Sequence, residues 1–359
     1  MGNSNKIVIS GYYGFDNIGD EAVLSAILSL LRASIKDTDI TVLSNNPEKT
    51  KALYDVETVN RWDIKAIIKA IKACDLLISG GGSLLQDITS QKTVPYYLGI
   101  VKIALWHKKR VVFYSQGIGP INHKWNKWFI KKVANQVDQI FVREYHSKKV
   151  LEAIGVKKPI IVAADPVLGI KPSEHVYKYV KDLLGVEKAV GVYIRPWQDE
   201  SAIIDCLEKA LQYVIQEGYK VYLIPMHYAQ DREVAHKLRA RLKEHAIVID
   251  KMLTIDEVVS YTASFEFIIG MRLHSLIMAA AMQTPMIGLA YDPKVTDFMK
   301  DMQVPYCIDV AHINPDKLIH MIQKLISSQS EQRKHLKVMH EIQVKKVNLP
   351  VEYIKGQLL

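Results

Sequence analysis

The stretch that decides the fold runs from residue 265 to residue 294 and reads FEFIIGMRLHSLIMAAAMQTPMIGLAYDPK. It predicts a buried strand ending at Gly270, a helix opening with Arg272 and His274, and a second strand followed by Lys294. The carboxyl ends of neighbouring parallel strands share one edge of a sheet, where α/β proteins bind ligands. We therefore expect the three charged or titratable side chains to form an anion site near helix N–H groups. The alternative is that Arg272 pairs with a neighbouring carboxylate and His274 caps a turn.

Two further strand ends in the second half of the chain carry residues that suit the same site. A predicted strand at 189–194 is followed by Arg195, and a predicted strand at 220–224 is followed shortly by His227. Both residues are additional candidates for anion binding, because residues at parallel strand ends share the ligand-binding edge of the sheet.

Three predicted strands in the first half run into glycine-rich segments. The first is followed by GYYGFDNIGDE, which contains Gly14, Asp16 and Asn17. Its glycines are not spaced as GxGxxG, so the pattern does not indicate a dinucleotide site. The candidates for ligand contact in the other two segments are Gly80, Gly81, Gly82, Ser83, Gln116 and Gly117. Glycines at a strand end present N–H groups to a ligand, although such loops also serve tight packing.

Charged residues end the two remaining strands of the first half. Arg143 follows a predicted strand at 139–142, and Asp165 closes a predicted strand at 160–164. Arg143 is a candidate substrate contact, with a surface ion pair to Glu144 or Asp138 as the alternative.

The alternation of short buried strands with helices occurs twice along the chain. It predicts an α/β protein of two doubly wound, Rossmann-like domains facing each other across a cleft. We place an N-terminal domain at residues 1–170, a linker at 171–188, a C-terminal domain at 189–330 and a helical tail at 331–359.

The composition is typical of a soluble globular protein, with 49% hydrophobic and 24% charged residues in a chain of 359. No apolar run is long enough to span a bilayer and the N-terminus lacks a signal-peptide pattern, so we expect a cytoplasmic protein. The cysteines Cys74, Cys206 and Cys307 are far apart, which predicts free thiols. No spacing indicates a metal site, so we expect neither a metal nor a cofactor.

A basic stretch between residues 88 and 137 contains no Asp or Glu. A helix at 123–134 would place Trp125, Trp128, Phe129 and Val133 on one face with lysines beside them, and exposed aromatic residues among lysines are typical of a helix in an anionic membrane interface. The alternative is an aromatic stripe that faces the core. Peripheral contact with the inner face of the cytoplasmic membrane is therefore one expectation for this helix.

Four motifs, in this order, resemble those of the polysaccharide pyruvyl transferase family, and most closely its bacterial CsaB type, which acts on secondary cell-wall polysaccharide. They are GFDNIGD at 14–20, GGGS at 80–83, SQGIGP at 115–120 and MRLHS at 271–275. The similarity covers essentially the whole chain, and the last motif is the most specific. The resemblance implies a GT-B-like fold, phosphoenolpyruvate as the donor, and a pyruvate ketal formed on a sugar such as N-acetylmannosamine of a lipid-linked precursor.

The resemblance also implies roles for the candidate residues. The C-terminal domain would bind phosphoenolpyruvate through Arg272 and Lys294, and Arg143 would reach in from the acceptor-binding N-terminal domain. His274 would protonate the enol methylene or assist the departure of phosphate. The candidates for the base that activates the sugar hydroxyls are Asp16 and Asp165. The alternative for both carboxylates is the capping of a helix or a turn.

Other function classes stay open at this point. A GT-B glycosyltransferase would use a nucleotide sugar, although the second domain lacks an evident acidic contact for a ribose. A non-catalytic anion-binding protein would tolerate the replacement of His274 by Gln. Nucleic-acid binding is suggested by charge alone, without a recognisable module. The sequence does not determine the oligomeric state.

Overall fold

The computed structural model describes residues 4–88, 90–185 and 187–358, and in it the chain forms two compact units. The first unit contains the residues up to Pro166 together with those from Gln343 onward, and the second unit runs from Val167 to Ile342. Each unit contains a parallel sheet and the helices that connect its strands, as the alternating pattern predicts.

The first unit begins with a regular alternation of strands and helices. Its elements are β1 Asn5–Ser10, α1 Ile18–Ser34, β2 Thr38–Ser44, α2 Pro47–Tyr54, β3 Glu57–Asn60, α3 Ile64–Ala73, β4 Leu76–Ser79, β5 Gly82–Leu85, α4 Thr93–Trp106, β6 Arg110–Ile118, α5 Lys124–Ala134, β7 Gln139–Val142, α6 Tyr145–Ile154 and β8 Ile160–Val162. The sheet order is β3-β2-β1-β4-β6-β7-β8, and β5 pairs with the second half of β6. Inner strands such as β4 are fully buried and mostly apolar, since a parallel sheet is covered on both faces, whereas the edge strand β3 is partly exposed.

The second unit repeats this architecture. Its elements are α7 Glu174–Leu184, β9 Ala189–Tyr193, α8 Glu200–Gln216, β10 Lys220–Leu223, α9 Tyr228–Leu242, β11 Ala246–Val248, α10 Ile255–Ser264, β12 Phe267–Gly270, α11 Leu273–Ala281, β13 Met286–Ala290, α12 Pro293–Asp301, β14 Cys307–Asp309 and α13 Pro315–Ser327. The sheet order is β11-β10-β9-β12-β13-β14, and every described pairing is parallel.

The stretch predicted as a linker or crossover, residues 171–188, lies between the two sheets in the chain. It contains α7, which packs against α10 within the second unit. Ser173, the residue before α7, donates its backbone N–H to the Asp256 carboxylate at 2.7 Å and its hydroxyl to the same group. A polar, helical sequence cannot by itself distinguish a linker from a docked helix, because the partner carboxylate lies 83 residues further along the chain.

The C-terminal tail is helical, as predicted, and consists of α14 Gln329–Val347 and α15 Leu349–Leu358. Its last part belongs to the first unit, where α15 packs against α1 and the rings of Tyr353 and Phe141 meet at a centroid distance of 5.8 Å. The first unit is therefore built from both ends of the chain.

Candidate functional site

Four neighbouring strands of the second unit deliver titratable or positive side chains to one edge of the sheet. In the order β10, β9, β12 and β13, the residues that follow the strands are His227, Arg195, His274 and Lys294. The register pairs Gly270 at the end of β12 with Gly288 of β13, which confirms the predicted adjacency of these two strands. The edge therefore has the positive character expected of an anion site.

The guanidinium of Arg272 forms an ion pair at the edge of the sheet. Its Nε donates to the Asp231 carboxylate at 2.8 Å, its Nη2 donates to the other carboxylate oxygen, and Nη2 also reaches Gln230 at 3.3 Å. Asp231 is completely buried and also accepts the backbone N–H groups of His227 and Met226. The alternative predicted for Arg272 was pairing with a carboxylate. The structure shows this pairing, a forked ion pair, instead of a guanidinium open to a substrate anion.

His274 lies in the first turn of α11 and is half-buried. The helix starts sharply because the Ser275 hydroxyl donates to the carbonyl of Arg272 at 2.6 Å. A Cβ at Gly270 would lie 2.6 Å from the Ser275 oxygen, so the glycine allows this close turn. No side chain of the described residues caps the start of α11, and its N–H groups face the same edge as the imidazole.

Lys294 occupies the corresponding position on the next helix, in the first turn of α12. Asp292 caps this helix by accepting the backbone N–H of Lys294 at 2.9 Å, and Pro293 occupies its first turn. His274 and Lys294 are therefore both held by helix starts that follow adjacent strands.

Arg195, an additional candidate from the sequence, lies in an aromatic cluster. Its guanidinium carbon lies 4.8 Å from the ring centroid of Tyr291 and 5.4 Å from that of Trp197, and its Nε donates to the Pro196 carbonyl at 3.4 Å. Tyr291 follows β13 and Trp197 follows β9, so this cluster spans the end of β12 that lies between them. Among residues 4–88, 90–185 and 187–358, no carboxylate pairs with Arg195. The charge of Arg195 is therefore available to an anion at this edge, whereas the charge of Arg272 is neutralised by Asp231.

His227 has a structural role in addition to its place at the edge. It precedes α9, and its backbone N–H donates to Asp231 at 2.9 Å. The carboxylate that binds Arg272 therefore also fixes the segment that carries His227.

Arg143 in the first unit lies in a buried ion-pair network. Its Nε donates to Glu144 at 2.8 Å, Nη1 to Asp165 at 3.0 Å and Nη2 to the Ser83 hydroxyl at 3.3 Å. Although burial opposes the charged form, the two carboxylates raise the pKa of Arg143. The predicted pair with Glu144 is present, but it is buried instead of at the surface. Asp165 therefore serves as the partner of a buried cation.

The glycine-rich segment after β4 is not the open loop that the sequence suggested. The chain resumes as β5, in which Gly82 pairs with Gln116 and Leu85 with Ile118 of β6, and the N–H of Gly80 donates to the Ser10 carbonyl at 2.7 Å. A Cβ at Gly80 would lie 2.2 Å from the buried hydroxyl of Tyr13. The packing alternative therefore holds for Gly80.

Packing likewise explains Gly81 and the segment at Gln116 and Gly117. A Cβ at Gly81 would lie 2.7 Å from a methyl group of Val23. Gln116 is completely buried inside β6, where its Nε2 donates to the Ser79 hydroxyl at 2.7 Å. The prediction that Gln116 and Gly117 follow the end of a strand was wrong, because β6 continues to Ile118.

The segment after β1 is organised by caps and an exposed ion pair. Asn17 caps α1 by accepting the N–H of Gly19 at 3.2 Å, and Asp16 pairs with Lys49 at 2.6 Å on the surface. Gly14 has a φ of +78°, and its N–H donates to Glu21 at 2.8 Å. The structural role is thus evident for each of these predicted contacts.

The sequence analysis missed an aromatic cluster around Arg61, the residue that follows β3. Its side chain is 3% exposed, and its guanidinium carbon lies 4.5 Å from the ring centroid of Tyr96, 5.0 Å from Phe15 and 5.2 Å from Trp62. No carboxylate within the described part of the chain pairs with it, and Nη1 donates to the Gly11 carbonyl at 3.1 Å. The only sequence signal was an Arg-Trp pair directly after a strand.

Metal-ligand clusters and membrane-spanning helices do not occur among the described residues. These residues contain no group of three His, Cys, Asp or Glu side chains placed to hold a metal ion. None of their helices combines the length and the apolar character needed to cross a bilayer. The thiols of Cys74, Cys206 and Cys307 are free, as predicted.

Comparisons with known proteins agree with the α/β architecture and with the motifs. The sequence profile of the polysaccharide pyruvyl transferase family matches residues 17–293. The amylovoran biosynthesis protein AmsJ of Erwinia amylovora is 21% identical, over 91% of this chain and 93% of its own.

Two solved structures illustrate the similarity in fold. HepE of Anabaena in complex with UDP-glucose aligns with a TM-score of 0.68 at 12% identity, over 98% of this chain and 100% of its own. A UDP-GlcNAc 2-epimerase of Neisseria meningitidis bound to UDP-GlcNAc aligns with a TM-score of 0.63 at 12% identity, over 98% and 99% of the two chains. These similarities show a GT-B-like α/β fold.

Proposed function

Because this chain belongs to the polysaccharide pyruvyl transferase family, we propose that it transfers a pyruvyl group from phosphoenolpyruvate to a sugar and releases phosphate. The relative named for amylovoran biosynthesis supports a biosynthetic role. The acceptor in this proposal is a lipid-linked cell-wall polysaccharide precursor, with N-acetylmannosamine as the modified sugar, as the resemblance to the CsaB type implies.

The observation that carries the proposal is the row of positive and titratable groups at the edge of the second sheet. Phosphoenolpyruvate has a phosphate and a carboxylate, so a site that binds it needs one cation for each of these two anionic groups. Arg195 and Lys294 follow the two strands on either side of β12, and the uncapped start of α11 lies between them. We assign the anions to these two residues. Arg272, which is paired with Asp231, positions the segment that carries His274.

His274 supplies the proton in this proposal. One sugar hydroxyl adds to C2 of phosphoenolpyruvate while C3 takes the proton and becomes a methyl group. The C2–O bond to phosphate then breaks, and the second hydroxyl closes the ketal. The two hydroxyl protons balance the methyl group and the released hydrogen phosphate. An imidazole suits this step because it titrates near neutral pH and can be protonated again after each turnover.

The carboxylates chosen from the sequence are poorly placed to act as bases. Asp165 is buried in the pair with Arg143, and Asp16 is exposed in the pair with Lys49. Each carboxylate is thus held by a cation of its own unit. We therefore assign the general-base role to neither residue, and we assign Arg143 to holding β5 and the end of β8 in place.

We place the acceptor at the first unit, on the aromatic cluster around Arg61. Tyr12 and Phe15 stack with centroids 4.0 Å apart, and Trp62 is 62% exposed beside them. Sugar rings present apolar C–H faces that pack on aromatic rings of this kind. The buried guanidinium of Arg61 fixes the rings in their orientation.

The test is calorimetric titration with phosphoenolpyruvate and, separately, with UDP and UDP-sugars, together with a phosphate-release assay. Arg195→Ala should weaken phosphoenolpyruvate binding by roughly 10- to 100-fold, the effect of losing a charge-assisted hydrogen bond. The matched control is Arg239→Ala. Arg239 is exposed and lies near the C-terminal end of α9, whereas the N-terminal end of this helix follows His227 at the sheet edge. His274→Gln should retain binding and lose about 10²- to 10⁴-fold in rate.

The same experiments separate the rival functions. Binding of UDP without any response to phosphoenolpyruvate would mean a nucleotide-sugar enzyme, in keeping with the ligands of HepE and the epimerase. Binding of phosphoenolpyruvate without phosphate release, and without an effect of His274→Gln, would mean an anion-binding protein. Activity that persists in EDTA would agree with the absence of a metal-ligand spacing in the sequence.

A further inference from the structure

Helix α5 presents two tryptophans to solvent. Trp125 is 64% exposed and Trp128 is 47% exposed, and their rings stack with centroids 4.8 Å apart. The core side of the helix is formed by Ile130 and Val133, which are completely buried. The alternative of a core-facing aromatic stripe is therefore wrong for the tryptophans, and the predicted placement of Val133 on their face is wrong as well. Large aromatic side chains grouped on a surface mark an interaction site.

The neighbouring helix α4, which packs against α5, extends this aromatic surface. Trp106 ends α4 and is 80% exposed. A shallow groove connects it to the segment after α5, and it is lined by Lys102, Ile103, Leu105, Trp106 and Gln136. Aromatic and aliphatic groups thus occur on two adjacent helices of the first unit.

The charged side chains on the two helices that carry these tryptophans are all positive. No Asp or Glu occurs from residue 88 to residue 137. The exposed lysines of α5 are Lys124, Lys127, Lys131 and Lys132. The acid just before this stretch, Asp87, is buried and accepts the N–H groups of Asn122 and His123 at 2.8 and 2.9 Å, so it does not neutralise the lysines at the surface.

We propose that this surface binds an anionic lipid bilayer. We call it the tryptophan face, and it consists of Trp106, Trp125, Trp128 and the four lysines of α5. Tryptophan favours the water–lipid interface, and lysines beside it are attracted to anionic headgroups. A second copy of the chain would bring two lysine clusters together, and Trp125 and Trp128 stack on each other instead of standing apart to receive bases.

The experiment is flotation of the full-length protein with phosphatidylcholine vesicles, with and without roughly 30% phosphatidylglycerol as a source of surface charge. We expect binding only to the anionic vesicles, with a blue shift of tryptophan fluorescence, and weaker binding when salt rises from about 0.1 to about 0.5 M. Lys127→Gln and Lys131→Gln should each weaken binding about fivefold. The variant with both Trp125→Ser and Trp128→Ser should abolish it. Trp62→Ser is the matched control, because Trp62 is 62% exposed elsewhere on the first unit.

The outcomes distinguish this inference from the proposed function. Loss of vesicle binding in the double variant, with unchanged phosphate release on a short soluble acceptor, supports the inference. Equal binding by wild type and double variant overturns it, as does the absence of binding by both. Sedimentation showing a wild-type dimer that the double variant converts to a monomer, without vesicle binding, would make the face a self-association surface. Tryptophan-dependent binding to duplex DNA alone would also overturn the lipid assignment.

Discussion

The substitution Asp231→Asn is the sharpest test of how the second unit holds its sheet edge. Asp231 is completely buried, and it is the shared partner of the Arg272 guanidinium and of the backbone that leads into α9. The change keeps the size of the side chain and removes its charge. It leaves the guanidinium, whose side chain is 13% exposed, without a counter-charge.

The expected cost follows from that geometry. Removing one partner of a buried ion pair costs about 3–5 kcal/mol, since the remaining charge is left uncompensated. The introduced amide would keep one oxygen that can accept the backbone N–H groups of Met226 and His227, which offsets about 1 kcal/mol. We therefore expect the free energy of opening this region to fall by about 2–4 kcal/mol.

The assay is hydrogen exchange measured by mass spectrometry on peptides from α9 and α11. A change of about 2–4 kcal/mol corresponds to roughly 30- to 900-fold faster exchange through local opening. The matched control is Arg232→Met, one residue along the same helix, because Arg232 forms an exposed pair with Asp250. Exposed pairs contribute little to stability, so the control should exchange at the wild-type rate.

Two results would refute this reasoning. The first is an Asp231→Asn protein that exchanges as slowly as the control. The second is an Arg272→Met protein that keeps wild-type exchange and loses phosphoenolpyruvate binding, because Arg272 would then be a substrate contact. The variant with both Arg272→Met and Asp231→Asn should regain much of the lost stability, since no uncompensated charge remains and the amide oxygen still accepts the backbone N–H groups.

Other predictions address packing, thiols and pH. Gly117→Ala should destabilise the protein by about 1–3 kcal/mol in thermal unfolding, because the added Cβ would lie 2.8 Å from the Arg143 guanidinium. Gly99→Ala should stabilise the protein by about 0.5–1 kcal/mol, because Gly99 lies in the middle of α4 and its added Cβ would have no neighbouring atom within 4 Å. Burial raises the pKa of Cys74 to about 11, so native protein should leave this thiol unreacted with Ellman's reagent at pH 8, and a fast reaction would contradict its burial. Burial also raises the pKa of the Glu21 carboxyl above 4.5. The wild type should therefore lose stability relative to Glu21→Gln as the pH rises through that raised pKa. Denaturation curves measured at several pH values should show this trend, and they should show none below about pH 4.

Much of the fold is evident from the sequence because it depends on local patterns. Short apolar runs such as the one ending at Gly270 are typical of parallel strands buried on both faces, and their alternation with helices predicts the architecture of both units. The adjacency of β12 and β13 follows as well, since consecutive strands joined by a helix commonly pair. His274 and Lys294 could therefore be placed at one edge without a structure.

Contacts between distant residues could not be predicted in this way. Arg272 pairs with the carboxylate of Asp231, which lies 41 residues before it in the chain. Because of this pairing, we assign the proposed anion contact to Arg195 instead. The tight contacts of Gly80 likewise depend on Tyr13, which sequence spacing does not reveal.

The division between sequence and tertiary structure has a physical basis. Backbone periodicity determines which segments become strands and helices and at which end of a strand a side chain lies. Whether a charge at that end is free or neutralised depends on which side chains from other elements lie within hydrogen-bonding distance, and the exposure of Trp125 depends on which face of α5 packs against the core. These properties arise only when the elements are assembled in three dimensions.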